Sequence, residues 1–181
     1  MMWGLKEWSA AVHALLDGRQ TILLRKGGIA EKRFEVAARE FLLFPTVAHS
    51  HVARVRPEHQ HLLTAAAEDS TEQQVTVRAA AKVVAALQVN QPDGLSQIED
   101  LHIWTADSVR EDRLDFRPRH KLAVLVVSAR PLTEPVQLIR TPEYRGCTSW
   151  VDLPVQPSLA APVHSETALA DVVGRVRRAI G

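Results

Sequence analysis

The chain has 181 residues, 22 basic and 21 acidic side chains, a net charge of +1 and one cysteine. A domain of this length buries roughly 70% of its unfolded surface without help from metal or disulfide, and one cysteine excludes an internal disulfide or a CxxC zinc site. Near-neutral charge restricts any nucleic-acid binding to a local patch. With no signal-peptide layout and no apolar run near ~18 residues, a cytoplasmic protein without membrane spans is expected.

Residues 8–16 are apolar and Ala-rich, and suit a helix or a strand. Asp17-Gly18 follows, and an Asp-Gly pair between apolar runs favours a hairpin with residues 20–25. Arg25 and Lys26 end that strand before a Gly27-Gly28 turn, where exposed backbone N–H groups and two cations suit an anion. Residues 34–36 alternate apolar and charged, and are read as a strand pairing with residues 40–44, which Pro45 terminates. Pro57 starts a short helix over residues 58–67, and a polar loop follows.

Residues 75–90 are ambiguous, because five valines favour a strand while Ala79, Ala80, Ala81, Ala85 and Ala86 favour a helix. Leu95, Ile98 and Leu101 form a short helical stripe, and residues 107–114 suit another short helix. Residues 121–129 predict a central strand; Pro131 and Pro135 bracket a turn, with residues 136–139 as the partner strand. Residues 141–162 contain four prolines and are expected to be mostly irregular. The last element is an amphipathic helix over residues 166–180, capped by Ser165, with Leu169, Val172, Val173 and Val176 as its stripe. The sum is one α+β domain, mainly antiparallel, with a partly closed, β-barrel-like small sheet, short helices and a C-terminal helix. Its core runs from about 5 to 153.

Four histidines, His49, His51, His59 and His61, form two His-x-His pairs. On a strand a pair at i and i+2 shares a face, so His49 and His51 could chelate Zn²⁺, whereas in a helix His59 and His61 are about 200° apart, which prevents shared ligation. With no HExxH and only Glu58 as a carboxylate in the cluster, no metal site and no cofactor are the expectation. Cys147 is a candidate nucleophile with His49 or His102 as base, and Glu35 and Glu40 are candidates for acid/base work. GxGxxG, Walker A and GxSxG are absent, and no lysine is preceded two residues earlier by an acid. Basic residues cluster instead. Arg25, Lys26, Lys32, Arg33 and Arg39 surround the first hairpins, Arg117, Arg119 and Lys121 enter the central strand, and Trp104, Tyr144 and Trp150 are placed to stack on bases.

The motifs 5-LKEW-8, 23-LLRKGGI-29, 39-REFLLFPT-46, 102-HIWT-105 and 143-EYRGCTSW-150 occur in that order. In this they resemble the bacterial family catalogued as domain of unknown function 1802, over nearly the whole chain up to Leu153. That resemblance implies kinship and brings no assigned activity. The order of short elements is similar to small β-barrel RNA-binding domains of the PUA and ASCH type. Three functions follow as expectations. The first is a non-catalytic nucleic-acid-binding or accessory module, with RNA or DNA as partner, in which Arg25, Lys26 and Arg39 meet phosphate and Trp104 and Trp150 stack bases. The second is a hydrolase, with or without a metal, centred on Glu35, Glu40 and His49. The third is a protein-interaction module using the C-terminal helix stripe.

Overall fold

The computed structural model describes residues 1–26 and 35–181. Gly27-Gly28, Lys32, Arg33 and Phe34 lie outside the described residues. Among the described residues six strands form one sheet: β1 (Met2–Trp8), β2 (Ile22–Lys26), β3 (Glu40–Thr46), β4 (Gln74–Gln88), β5 (Leu122–Ile139) and β6 (Trp150–Leu153), in the order β2-β5-β4-β3-β1-β6. The β1–β3 pair is parallel and the other pairs are antiparallel. The helices are α1 (Ser9–Leu16), α2 (Leu62–Ala67), α3 (Ala106–Val109) and α4 (Glu166–Ile180), with 3-10 turns at His49–Arg54, Pro57–His59 and Pro92–Leu101. The α+β class and the mainly antiparallel sheet follow the expectation. Backbone pairing does not close the sheet, so the barrel likeness is loose.

Residues 9–16 are a helix and not the first arm of a hairpin. Ala10, Ala11 and Ala14 favour it, and all are buried. The glycine signal was real but served another motif. Gly18 takes φ +77, its N–H donates to Leu15 O, and the Arg19 N–H donates to Ala14 O. This is the paired-bond ending of a helix, which needs the same positive φ as a hairpin turn.

Residues 35 and 36 lie in a loop, and β3 pairs with β1 and β4 instead. Pro45 does not end that strand. Its pairing with β4 stops at Leu42, so beyond that point β3 has a ladder partner only in β1, and the missing N–H is tolerated. The ambiguous residues 75–90 are strand. The expected hairpin at Pro131 and Pro135 is one continuous strand, β5. Between the pairs Val77↔Val136 and Ala79↔Pro131 the register shifts, and Pro135 falls in that bulge. The Pro131 carbonyl accepts from Ala160 N–H, so this residue faces the segment that covers the edge of β5. The expected helix at 58–67 is split into the 3-10 turn and α2, and α3 continues into a π-helical turn, Arg110–Asp115. Within the proline-rich stretch, β6 was not anticipated.

Apolar alternation divides the core. Leu5 on β1, Leu23 on β2, Phe41 and Leu43 on β3 and Val127 on β5 share one cluster with Val12 and Leu15 of α1. Leu23 and Leu5 come from strands far apart in the sheet order, so the sheet curls around this cluster. Ile22, Leu24, Val124 and Val126 point the other way, toward Ile98, Trp104 and α4. Leu169 and Val176 of the α4 stripe are buried there, with Val172 and Val173 packed alongside. The Ser165 cap is present, its Oγ accepting from Ala168 N–H at 3.1 Å.

Candidate functional site

A cleft of about 930 Å³ opens where the start of α1, the loop after β3, α2 and the turn before β4 meet the chain beyond β5. Its polar lining includes Ser9, His49, Ser70, Thr71, Arg140 and Arg145, and Glu72 is the only acidic contributor among the described residues. Two arginines against one carboxylate give the cleft a positive field.

Asp69 anchors the inner wall. It is 1 % exposed, and accepts from Ser9 Oγ at 3.2 Å and Arg78 Nε at 2.7 Å, with His13 Nε2 at 2.5 Å. Burial pushes this carboxyl up, but the hydrogen bonds from His13 and Arg78 prevail and hold it below its usual range. The network therefore ties α1 to the start of β4.

His51 stacks flat on Trp8, with centroids 3.6 Å apart and planes 13° from parallel. Burial, then repulsion by Arg54 and Arg113, lowers its pKa to about 4, so the ring is neutral at pH 7. Its Nδ1 accepts from Ala48 N–H at 3.4 Å, which assigns the proton to Nε2.

Arg140 is held in place. Its Nε donates to Thr71 O at 2.6 Å, a second nitrogen donates to Ser70 Oγ, and the guanidinium lies 6.0 Å from the Phe44 ring centre. Arg145 is exposed and makes no side-chain hydrogen bond or ion pair with the described residues. Nearby, Lys6 Nζ donates to Gly146 O at 3.0 Å. Burial lowers the Lys6 pKa, opposed by Cys147 and reinforced by Arg140.

The anticipated site residues are dispersed. Arg25 Nη1 donates to Lys6 O at 2.9 Å and to Glu7 Oε2 at 3.2 Å. Lys26 Nζ donates to the carbonyls of Arg113, Leu114 and Phe116. Both cations therefore have partners within the fold. Trp104 is 4 % exposed and packs edge-on against Trp8, so no base can reach its face. Trp150 is half-buried, contacts Phe41 and Trp3, and donates to Glu35 O at 3.1 Å. Arg39 is exposed.

Glu35, Glu40 and His49 do not converge. Glu40 and His49 flank opposite ends of β3, about 20 Å apart, and Glu40 lines a different pocket with Lys82. Cys147 is exposed, and among the described residues no hydrogen bond joins it to His49 or to His102. His102 is 2 % exposed, and its Nδ1 accepts from Trp104 N–H at 3.0 Å. His51 and His59 are buried, which separates each from its exposed neighbour in the His-x-His pairs.

Arg140, Arg145 and Asp69 were not singled out from the sequence. Arg145 lies inside the motif 143-EYRGCTSW-150, which was the available signal. Asp69 stands in an acidic run, and nothing local distinguishes it from Glu68 or Glu72.

The fold defines an α+β protein of ASCH-like architecture. The crystal structure of ASCH from Zymomonas mobilis superposes with a TM-score of 0.50 at 13% identity, covering 95% of this chain and 93% of that one. A tyrosine-to-phenylalanine variant of the same protein aligns over 74% of this chain and 73% of its own, at 15% identity and a TM-score of 0.43. The chain belongs to the family described as "Domain of unknown function (DUF1802)", whose model matches residues 4–175. No curated protein matches the sequence. Among the described residues, no helix is long and apolar enough to cross a membrane.

Proposed function

We propose that this chain is a non-catalytic nucleic-acid-binding or accessory module that lays an RNA or DNA backbone across the 930 Å³ cleft. One observation carries the reading. Arg145 presents an unpaired guanidinium, with respect to the described residues, at a cleft whose second arginine is already oriented by Thr71 and Ser70. A preorganised arginine and an unpaired, exposed one suit the fork geometry of phosphate. The Ser70 hydroxyl, which accepts from Arg140, keeps its proton as a further donor to a phosphate oxygen. Arg25 and Lys26 act through structure in this reading, Arg25 by bridging β2 to β1 and Lys26 by holding the end of the π-helical turn.

The test is binding of single-stranded RNA and DNA oligomers by fluorescence anisotropy across a salt series. Affinity is expected to fall steeply with salt. Arg145→Glu is expected to weaken it about tenfold or more at low salt, as loss of a charge-assisted bond plus repulsion requires. No retention of either oligomer at low salt overturns the reading.

A further inference from the structure

Between the end of β2 and the start of β5 lies a smaller pocket of about 340 Å³. Lys26, Arg113 and Lys121 line it together with His120, and among the described residues no carboxylate contributes to its wall. The chain as a whole has almost equal numbers of acids and bases, so a wall to which the described residues contribute cations and no acid concentrates positive potential.

Each cation is held differently. Lys26 is fixed by the carbonyls that end the π-helical turn. Arg113 lies 5.7 Å from the Trp8 ring centre, and its guanidinium makes no hydrogen bond or ion pair with the described residues. Burial pushes this guanidinium below its ordinary pKa, against the pull of Glu7, although part of the side chain stays accessible. A cation stripped of water and bonded to no acid among the described residues favours an incoming anion. Lys121 is exposed at the rim, and Asp115 acts on Lys26 from outside the lining. Beside the pocket, Phe116 is 55 % exposed, with the Arg117 guanidinium 4.8 Å from its ring centre.

We propose that this pocket binds a phosphate monoester of mononucleotide size, with Arg113 and Lys121 holding the phosphate and Phe116 offering its ring to the base. The volume lies at the small end of ligand pockets, roughly 300–1,000 Å³, and an exposed aromatic beside cations suits a nucleobase joined to a phosphate. The ligand is either a free nucleotide or the phosphorylated end of a strand, and only the second source rests on the nucleic-acid reading above.

The experiment is calorimetric titration of the full chain with adenosine 5′-monophosphate, adenosine and inorganic phosphate. The monophosphate is expected to bind at least about tenfold more tightly than the nucleoside, as a charge-assisted contact predicts. Lys121→Glu, at an exposed position that leaves the core intact, is expected to remove that advantage, and Arg145→Glu to leave it unchanged. Equal binding of nucleoside and monophosphate, or an unaltered preference in Lys121→Glu, overturns the proposal. Oligomers with 5′-phosphate and 5′-hydroxyl ends separate the two sources. A preference for the phosphorylated end supports the strand, and binding of the monophosphate without that preference supports the free nucleotide. Oligomer binding that fails while the monophosphate still binds removes the cleft reading and leaves this one standing.

Discussion

Arg25 on β2 donates to the carbonyl of Lys6 at 2.9 Å and to the carboxylate of Glu7 at 3.2 Å, both on β1. These strands are first and fifth in the sheet order, so one side chain spans the curl that backbone pairing leaves open. Glu7 is 4 % exposed and also accepts from Trp8 N–H at 2.9 Å. Replacing Arg25 with Met leaves that carboxylate buried without its cation. A loss of about 3 kcal/mol is expected in urea denaturation. A change under about 0.5 kcal/mol, the range of an ordinary surface substitution, would show that the contact does not hold the curl.

Asp69 joins α1 to the strand that follows it through Ser9, His13 and Arg78. Asp69→Ala removes the shared acceptor of three donors. The expected cost is about 3 kcal/mol, with Asp69→Asn costing less because its amide oxygen still accepts. Equal losses for the two variants would mean that volume, and not hydrogen bonding, matters there.

Gly94 is required by close approach. A Cβ at this position would stand 1.6 Å from the Ala179 carbonyl oxygen of α4, so the backbone itself must move. Gly94→Ala is expected to cost at least about 2 kcal/mol, the scale of overpacking, and to lower the melting temperature by several degrees. An unchanged melting temperature would contradict the packing of α4 on the 3-10 turn.

Acid is expected to destabilise the fold through two histidines. Burial, reinforced by Arg54 and Arg113, lowers His51 to about 4. Burial, reinforced by Arg56 and Arg113, lowers His102 to about 3. Both values lie below the ordinary 6.5, so the unfolded chain binds more protons as pH drops through this window. The stability they permit is complete above about pH 6.5 and is lost progressively toward pH 4 and then 3, amounting to a few kcal/mol. Urea midpoints at pH 7 and pH 5 measure it. His51→Phe, which keeps the stack on Trp8, is expected to flatten the profile, and a midpoint as pH-dependent as that of the parent chain would exclude His51 as a contributor.

Local pattern determined a substantial part of this molecule. The valine-rich run starting β5, the capped α4 and the buried stripe of Leu95, Ile98 and Leu101 were legible because periodicity and capping act within a few residues of chain. The family was legible too, since its motifs are linear. Tertiary structure decided the rest. Asp17-Gly18 serves a hairpin and a helix end equally well, and burial of Ala10, Ala11 and Ala14 selected the helix. Lys26 reads as an available cation until carbonyls 87 to 90 residues away are placed around its ammonium. Trp104 reads as a stacking platform until Trp8 and the core enclose it. Charge and aromaticity are properties of one residue, whereas desolvation and pairing depend on atoms brought together by the whole fold, and these decided which cations and rings face outward.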